Sequence, residues 1–140
     1  MRRGFQLFET AVAISLLLTV AGWSALSTQR LLAEHRLNAA CLAMVSAAAA
    51  ARAIAITRNT DIQLATRSLS QEFGLAPRSR EPANWKSLPA GVSFASVPAR
   101  SVTFHGRGTA APAGTLRVTN ESGTLRIVVA VSGRVRWVRE

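Results

Sequence analysis

Residues 4–29 of the chain read GFQLFETAVAISLLLTVAGWSALSTQ, and this stretch decides the class of protein. Its last 20 residues, Thr10–Gln29, carry no charge and are rich in Ala, Val, Leu and Ile. A helix of that length can cross the hydrocarbon core of a bilayer, which is about 30 Å thick. Arginines lie on both sides of the stretch, so the flanking charges do not decide its orientation. We predict one transmembrane helix.

A cleavable secretory signal is the first alternative for this segment. Its apolar region is usually about 7 to 15 residues long and ends at a small-x-small cleavage site. Thr19–Ala21 matches such a site only weakly. Glu9 is the unusual feature, because a carboxylate near the centre of a bilayer costs about 3 kcal/mol. We therefore expect a partner to compensate the charge of Glu9.

The stretch Gly4–Glu9 resembles the processing junction of type IV prepilins. The resemblance implies that prepilin peptidase cuts between Gly4 and Phe5 and that Phe5 is then N-methylated. It also implies that Glu9 lies near the free amine of a neighbouring subunit during assembly, where a buried cation neutralises the buried carboxylate. Residues 1–4 form the leader and stay in the cytoplasm until they are removed, which sets the orientation of the membrane helix.

Two features depart from the prepilin pattern, namely Thr10, where leucine is commoner, and the very short leader. Neither changes the chemistry of cleavage. The alternative is an ordinary signal anchor with an incidental glutamate, attached to a periplasmic domain unrelated to filaments. On the prepilin interpretation, residues 5–29 are the transmembrane helix and residues 30–140 are the soluble domain.

A second half of the helix is predicted over residues 30–58. The stretch Leu31–Arg58 contains neither Gly nor Pro and includes five consecutive alanines. Apolar residues recur there with helical spacing, and Asn59 is expected to end the helix. The predicted apolar stripe is Leu42, Val45, Ala49 and Ile56, widened by Leu37, Cys41, Met44 and Ala48.

Loops and antiparallel strands are predicted over residues 59–140. Ser68–Pro89 holds three prolines and is expected to be a loop of limited order around Trp85. Asn120–Gly123 and Ser132–Gly133 are the strongest turn signals. The expected strands are Ile62–Thr66, Val92–Val97, Val102–His105, Thr115–Thr119, Thr124–Val131 and Arg134–Val138, the last five as one meander. The fold class is therefore α+β, a pilin fold in which a long N-terminal helix packs on a small antiparallel β-sheet.

The composition bounds the function of the chain. It has 17 Lys+Arg against 7 Asp+Glu and a formal net charge of +10, which favours anionic partners but also simply favours solubility. Cys41 is the only cysteine, so an internal disulfide is excluded and a small core residue is expected. With no companion Cys or His at ligand spacing, a thiolate zinc site is excluded as well.

Catalytic motifs are weak throughout the chain. His35 and His105 stand alone, and Gly91–Ala95 misses the nucleophile-elbow pattern at its last position. Gly106–Ala111 has the letters of a dinucleotide fingerprint, but Pro112 and a strand follow it where the motif requires a helix. We predict no enzymatic activity, no cofactor and no metal.

From the helix end onward the chain resembles the GspH/FimT family of minor pilins and pseudopilins. The resemblance rests on Ala51–Asn59, a tryptophan loop, Val102–Phe104 and Ser132–Arg136. It implies a structural subunit of a type II secretion pseudopilus or a type IV pilus, in the tip or the initiation complex. The implied partners are other pilin or pseudopilin subunits, prepilin peptidase and the bacterial inner membrane, with residues 30–140 in the periplasm before filament assembly.

Some pilins of that family bind DNA through a Gly-Arg-x-Arg segment near the C-terminus, and residues 133–136 match it. Strand alternation places Arg134 and Arg136 on one face, with Val135 and Trp137 on the other. Both guanidinium groups could then contact phosphates of double-stranded DNA, with Arg139 close by.

The charge of the exported part agrees with DNA binding, because from Arg52 to the end 13 basic residues against 5 acidic residues leave a net charge of about +8. The alternative is that these arginines protect the edge of a terminal strand from aggregation or face a neighbouring subunit.

Overall fold

The computed structural model describes the backbone of residues 2–140. Within its long first helix it describes the side chains of residues 8–20, 22 and 28–58, and it describes all side chains after the helix. The chain forms two compact units, Met1–Leu32 and Ala33–Glu140. Helix α1, Arg2–Arg58, supplies the first unit and the N-terminal part of the second.

The first unit is helical, and its large apolar side chains are exposed over residues 8–20. The hydroxyl groups of Ser15 and Thr19 donate hydrogen bonds to the carbonyl oxygens of Val12 and Leu16, each at 2.8 Å. The polar side chains therefore find acceptors within the helix, as an apolar environment requires. The exposed apolar residues are Phe8, Val12, Ile14, Leu16, Leu17, Leu18 and Val20.

Length and composition alone single out one helical stretch among the described residues as able to cross a membrane, Thr28–Arg58, and Phe8–Val20 is a shorter apolar stretch. The most apolar window of Thr28–Arg58 is 39% buried within the protein, so much of its apolarity serves the folded core. The predicted span of residues 5–29 includes side chains outside the described set, at positions 5–7, 21 and 23–27. That span stays a prediction.

Asn59 ends helix α1, as predicted. Its φ of 49° is left-handed, its N–H donates to the carbonyl oxygen of Ile56 at 3.3 Å, and the N–H of Thr60 donates to that of Ala55 at 3.1 Å. This pair of hydrogen bonds is the Schellman arrangement, which satisfies two free carbonyl groups at a helix end.

Nine strands follow the helix, and every pairing is antiparallel. The first sheet has the order β3-β2-β1-β5-β6, and the second has the order β4-β7-β8-β9. The strands are β1 Ile62–Arg67, β2 Glu72–Pro77, β3 Lys86–Ser87, β4 Ser93–Ser96, β5 Val102–Phe104, β6 Ala110–Ala111, β7 Gly114–Asn120, β8 Gly123–Val129 and β9 Val135–Arg139.

Two expectations about the strands were wrong. Ser68–Pro89 is not a loop of limited order, because β2 and β3 lie within it and β2 pairs along its whole length with β1. Its prolines stand at the end of β2 or outside the strands, where they remove no ladder hydrogen bond. The predicted single meander is also split between two sheets, since β5 pairs with β1 while β7, β8 and β9 continue the second sheet.

The core lies between helix α1 and the two sheets. Cys41 is buried in it, as predicted, and burial raises the pKa of its thiol to about 11. The predicted helix stripe is confirmed for Leu37, Cys41, Met44 and Ala48, which are buried, but it was wrong for Leu42 and Ile56, which are 63% and 49% exposed. The buried helix residues are Ala33, Leu37, Ala40, Cys41, Met44, Ala48, Ala51 and Ala55.

Candidate interface at the carboxyl end of the second sheet

The turn between β8 and β9 positions the predicted Gly-Arg-x-Arg segment. The N–H of Gly133 donates to the carbonyl oxygen of Ala130 at 2.9 Å, and the N–H of Ala130 donates to that of Arg134 at 2.9 Å. Gly133 has a φ of 73° and is buried. Three residues, Val131–Gly133, lie between Ala130 and Arg134, so the predicted two-residue turn is one residue longer, and the left-handed last position of such a loop favours glycine.

Close packing around Gly133 makes the absence of a side chain necessary. A Cβ at this position would overlap the carbonyl oxygen of Gly108 and lie 3.0 Å from Nε of Arg52. The same Arg52 Nε donates a hydrogen bond to the Gly108 oxygen at 3.0 Å. Nearby, the N–H of Ala110 donates to the carbonyl oxygen of Val131 at 2.9 Å, which joins the two sheets. The turn is therefore held from the helix and from the first sheet.

The loop at Gly108 is a tight turn followed by a strand. A dinucleotide-binding fingerprint requires a helix at this place, so the motif letters at Gly106–Ala111 are incidental. The N–H of Gly108 donates to the carbonyl oxygen of His105 at 2.8 Å, and β6 begins two residues later. The His105 side chain has a structural contact, with its Nδ1 2.7 Å from Oδ1 of Asp61. Hydrogen bonding to His105 lowers the pKa of Asp61.

Arg134 and Arg136 are exposed, and neither forms an ion pair or a side-chain hydrogen bond with any other described residue. Arg136 pairs with Val128, and Arg126 pairs with Val138, so these side chains lie on the outer face of the second sheet. Arg134 precedes the strand, in the turn. The predicted pair is thus accessible and has no competing carboxylate among the described side chains.

Other arginines of the outer face are occupied. Arg117 Nε donates to Glu140 Oε2 at 3.1 Å, and Arg126 Nε lies 3.4 Å from Oε1 of the same carboxylate. The second contact is electrostatic only, because Arg126 Nε has no hydrogen-bond partner. Glu140 thus neutralises part of this face and leaves Arg136 unpaired.

Arg139 differs from the other two predicted DNA-binding residues. Its Nη1 donates to Oε1 of Glu34, and its Nη2 lies 3.3 Å from the carbonyl oxygen of Ser122. The hydrogen bond and the charge of Arg139 lower the pKa of Glu34. Arg139 therefore connects helix α1 to the end of the sheet, on the face opposite to Arg136.

Trp137 lies on the same side of β9 as Val135, as strand alternation predicted. It is 48% exposed, so it is not a core residue. It pairs with Ile127, which is fully buried on the face that packs against the helix. Trp137 therefore extends the apolar inner face to the open side of the sheet.

The processing residues belong to the first unit. The side chain of Phe5 lies outside the described set, and the side chain of Glu9 is exposed. In the part of the chain that the structure describes, no group of three His, Cys, Asp or Glu residues comes close enough to hold a metal ion.

A family model, Type II transport protein GspH, matches residues 40–133 of the chain. The chain belongs to the GspH family. The match runs from the buried half of helix α1 to the glycine of the β8–β9 turn and includes all strands except β9. Comparison with curated proteins gives no match.

Solved structures of pilin-type subunits share the fold of this GspH family member. The minor pseudopilin EpsH from the type 2 secretion system of Vibrio cholerae has a TM-score of 0.60 and 12% identity, covering 74% of this chain and 97% of that one. The type IV minor pilin FimU of Pseudomonas aeruginosa has a TM-score of 0.62 and 14% identity, with coverage of 75% and 90%. By family and fold, the chain is a minor pseudopilin or minor pilin.

The structure adds Arg52 to the residues that sequence reasoning singled out. Arg52 lies on helix α1, where it is half-buried and donates a hydrogen bond from its Nε to the carbonyl oxygen of Gly108. A partial signal existed, since Arg52 interrupts a helical run of alanines. Its partners, Gly108 and Gly133, are too distant in sequence to be inferred from that signal.

We predict that Gly133→Ala destabilises the fold more than Gly91→Ala does. Both glycines have left-handed φ angles, 73° and 82°, but a Cβ at Gly91 meets nothing within 4 Å. Gly91→Ala should lower the free energy of unfolding by about 1 to 2 kcal/mol. Gly133→Ala should add an overpacking cost of about 1 to 3 kcal/mol. Denaturant unfolding followed by tryptophan fluorescence measures both, and equal losses would show that the Arg52–Gly108 packing does not constrain the turn.

Proposed function

We propose that this chain is a low-abundance structural subunit that helps to initiate or cap a type II secretion pseudopilus or a type IV pilus. The observation that carries the proposal is the combination of a GspH-type domain with a helix α1 whose first turns contain Gly4-Phe5 and Glu9. The role is structural, with no catalytic step.

Residues 5–29 act as the membrane anchor in this proposal. Support comes from the uncovered apolar side chains over residues 8–20 and from hydroxyl groups that bond within the helix. Prepilin peptidase removes residues 1–4 on the cytoplasmic side and methylates the new amine of Phe5. Residues 30–140 then stand in the periplasm, on the other side of the inner membrane, until the subunit enters the filament.

Glu9 is the assembly residue. In the bilayer an isolated carboxylate costs about 3 kcal/mol, and the N-terminal amine of a neighbouring subunit offsets that cost when the two charges meet. Because Glu9 has no ion-pair partner among the described residues of its own chain, its charge is available for such a contact. The charge pair favours the assembled state over the isolated subunit.

Glu9→Gln is expected to reduce incorporation of the subunit into the filament by at least about tenfold, because losing one partner of a buried ion pair costs about 3 kcal/mol or more. Membrane insertion should be unchanged or improved. The matched control is Glu121→Gln, the same substitution at an exposed turn residue of the second sheet. Sheared filaments and membranes are compared by immunoblot. Normal incorporation of Glu9→Gln would favour a signal-anchored domain unrelated to filaments.

DNA binding for uptake is a second proposed function, supported by the exposure of Arg134 and Arg136 and by their lack of acidic partners. The two guanidinium groups lie near one end of β9, and the exported part has a net charge of about +8. Phosphate contacts of this kind position a duplex without reading its sequence. Arg139 contributes less on this account, because Glu34 already neutralises it.

The expected duplex affinity is micromolar or weaker, with a salt slope that falls by about one for each arginine removed. Arg134→Ala/Arg136→Ala should reduce the slope of log affinity against log salt by about two. The matched control is Arg80→Ala/Arg100→Ala, which removes the same charge from two exposed loop residues outside this interface. Fluorescence anisotropy with labelled duplex measures the slopes. Equal salt slopes in the two double variants would show that the DNA affinity depends on the overall charge of the protein and not on Arg134 and Arg136.

A further inference from the structure

Strand β9 leaves one edge of the second sheet open. It pairs with β8 only, in the order β4-β7-β8-β9. Hydrogen bonds join Ala130 to Arg134 and Glu140 to Thr124, so the even-numbered residues of β9 face β8. In an antiparallel pair, successive residues point their N–H and C=O groups alternately toward the partner strand and away from it. The N–H and C=O groups of Val135, Trp137 and Arg139 therefore point to the open edge.

An apolar groove runs beside this edge. It has a volume of about 500 Å³ between helix α1 and the start of β9. Leu42, one helical turn before the groove, and Trp137, two residues beyond Val135, continue the apolar surface and are exposed. The groove is lined by Val45, Ala49, Arg52, Ala53, Ile56, Gly133, Arg134 and Val135.

The groove and the open edge beside it are basic: Arg52 and Arg134 line the groove, and Arg136 lies on the outer face of β9. Arg134 and Arg136 are unpaired, and Arg52 uses its Nε for the Gly108 carbonyl oxygen, with no carboxylate within 4 Å among the described side chains. Uncompensated arginines beside an open edge prevent pairing with an arbitrary strand. They favour a strand that brings acidic residues, because opposite charges across neighbouring strands stabilise the pair.

We propose that the edge of β9 accepts an extended segment of a partner subunit as a fifth strand of the second sheet. Residues of that segment that face inward are apolar and cover the groove between Val135 and helix α1. Residues that face outward are acidic and lie beside Arg136. This is strand addition, in which backbone hydrogen bonds supply affinity and alternate side chains supply specificity. The proposal does not depend on which filament contains the subunit.

The geometry favours a strand over other occupants. The open edge carries three donors and three acceptors in regular alternation, which an extended backbone satisfies and a helix does not. The five residues of β9 offer an edge of about 16 Å, and strands in globular proteins have about this length. The open edge can pair with the backbone of an added strand. The groove beside it can accept the apolar side chains on the inner face of that strand.

A synthetic peptide of alternating Val and Glu, seven residues long, serves as the probe. It is added to the full chain in detergent micelles, and amide hydrogen exchange is followed by NMR. Binding should slow exchange at Val135, Trp137 and Arg139 by at least about tenfold and leave Arg136 and Val138 unchanged, because those amides face β8. A peptide with Lys in place of Glu should bind at least about tenfold more weakly. The Val-Glu peptide N-methylated at every residue should not bind, because neither of its edges can then donate backbone hydrogen bonds to β9.

Three results would overturn the proposal. They are equal binding of the N-methylated peptide, protection confined to amides outside β9, and protection of the same three amides without peptide as the protein concentration rises. The last result would assign the edge to a second copy of this chain. None of them bears on Glu9 or on filament incorporation, so failure here is distinct from failure of the proposed function.

Three variants test the backbone hydrogen bonds and the charge separately. Trp137→Pro removes an outward-facing N–H and should abolish peptide binding, whereas Trp137→Ala removes the same side chain, keeps the N–H and should retain binding. Arg136→Glu, an exposed change that leaves the pairing with β8 intact, should reverse the preference between the Glu and Lys peptides. If Arg136→Glu still prefers the Glu peptide, Arg136 does not select acidic strands. This test stands even if Trp137→Pro fails to fold.

Discussion

The buried alanine face of helix α1 is the packing constraint on which the rest of the second unit depends. Ala40, Ala48, Ala51 and Ala55 are at most 1% exposed, so both sheets approach the helix backbone closely. A larger residue at these positions would separate the sheets from the helix, and close-packed interiors tolerate such changes poorly. One helix face thereby organises two sheets that share a single core.

Polar contacts fix the same helix at both of its ends in the second unit. The side-chain amide of Asn120 donates to the carbonyl oxygen of Ala33 at 2.6 Å, and Arg139 pairs with Glu34 nearby. Toward the helix end, Arg52 bonds to Gly108 beside the turn at Gly133. Consequently the two ends of β9 have different tasks. Its last residue holds the sheet to the helix, and its first residues lie beside the open groove.

Sequence reasoning predicted the helix and most strands because their signals are local. The helix is indicated by a stretch without Gly or Pro, and the strands are indicated by alternating polar and apolar residues between turn residues. Both signals can be recognised within a short window of sequence. Leu42 and Ile56 were wrongly assigned to the buried stripe because alanine is weakly apolar and larger residues dominate any hydropathy count. Strand β2 was missed because Pro77, Pro82 and Pro89 suggested a loop, although Phe73 and Ala76 within the strand are buried.

The candidate interface was predictable only in part for a related reason. Its Arg134 and Arg136 follow from a local motif, and strand alternation predicts the outward orientation of Arg136, but Arg134 lies in the turn before β9 and not in the strand. The roles of Arg52, Gly108 and Gly133 depend on contacts between residues far apart in sequence. The same holds for the split of the strands into two sheets, since β5 joins β1 across about 40 residues of chain.

The central claim, that the chain is processed as a pilin-type subunit, is tested most directly by the intact mass and N-terminal sequence of the protein purified from its host. The account predicts a chain that begins at Phe5 and carries one added methyl group. Gly4→Ala should block this processing, whereas Gly22→Ala, at a position where a Cβ meets nothing within 4 Å, should not. A mature chain that still begins at Met1, or that begins after a secretory signal site, would contradict the account.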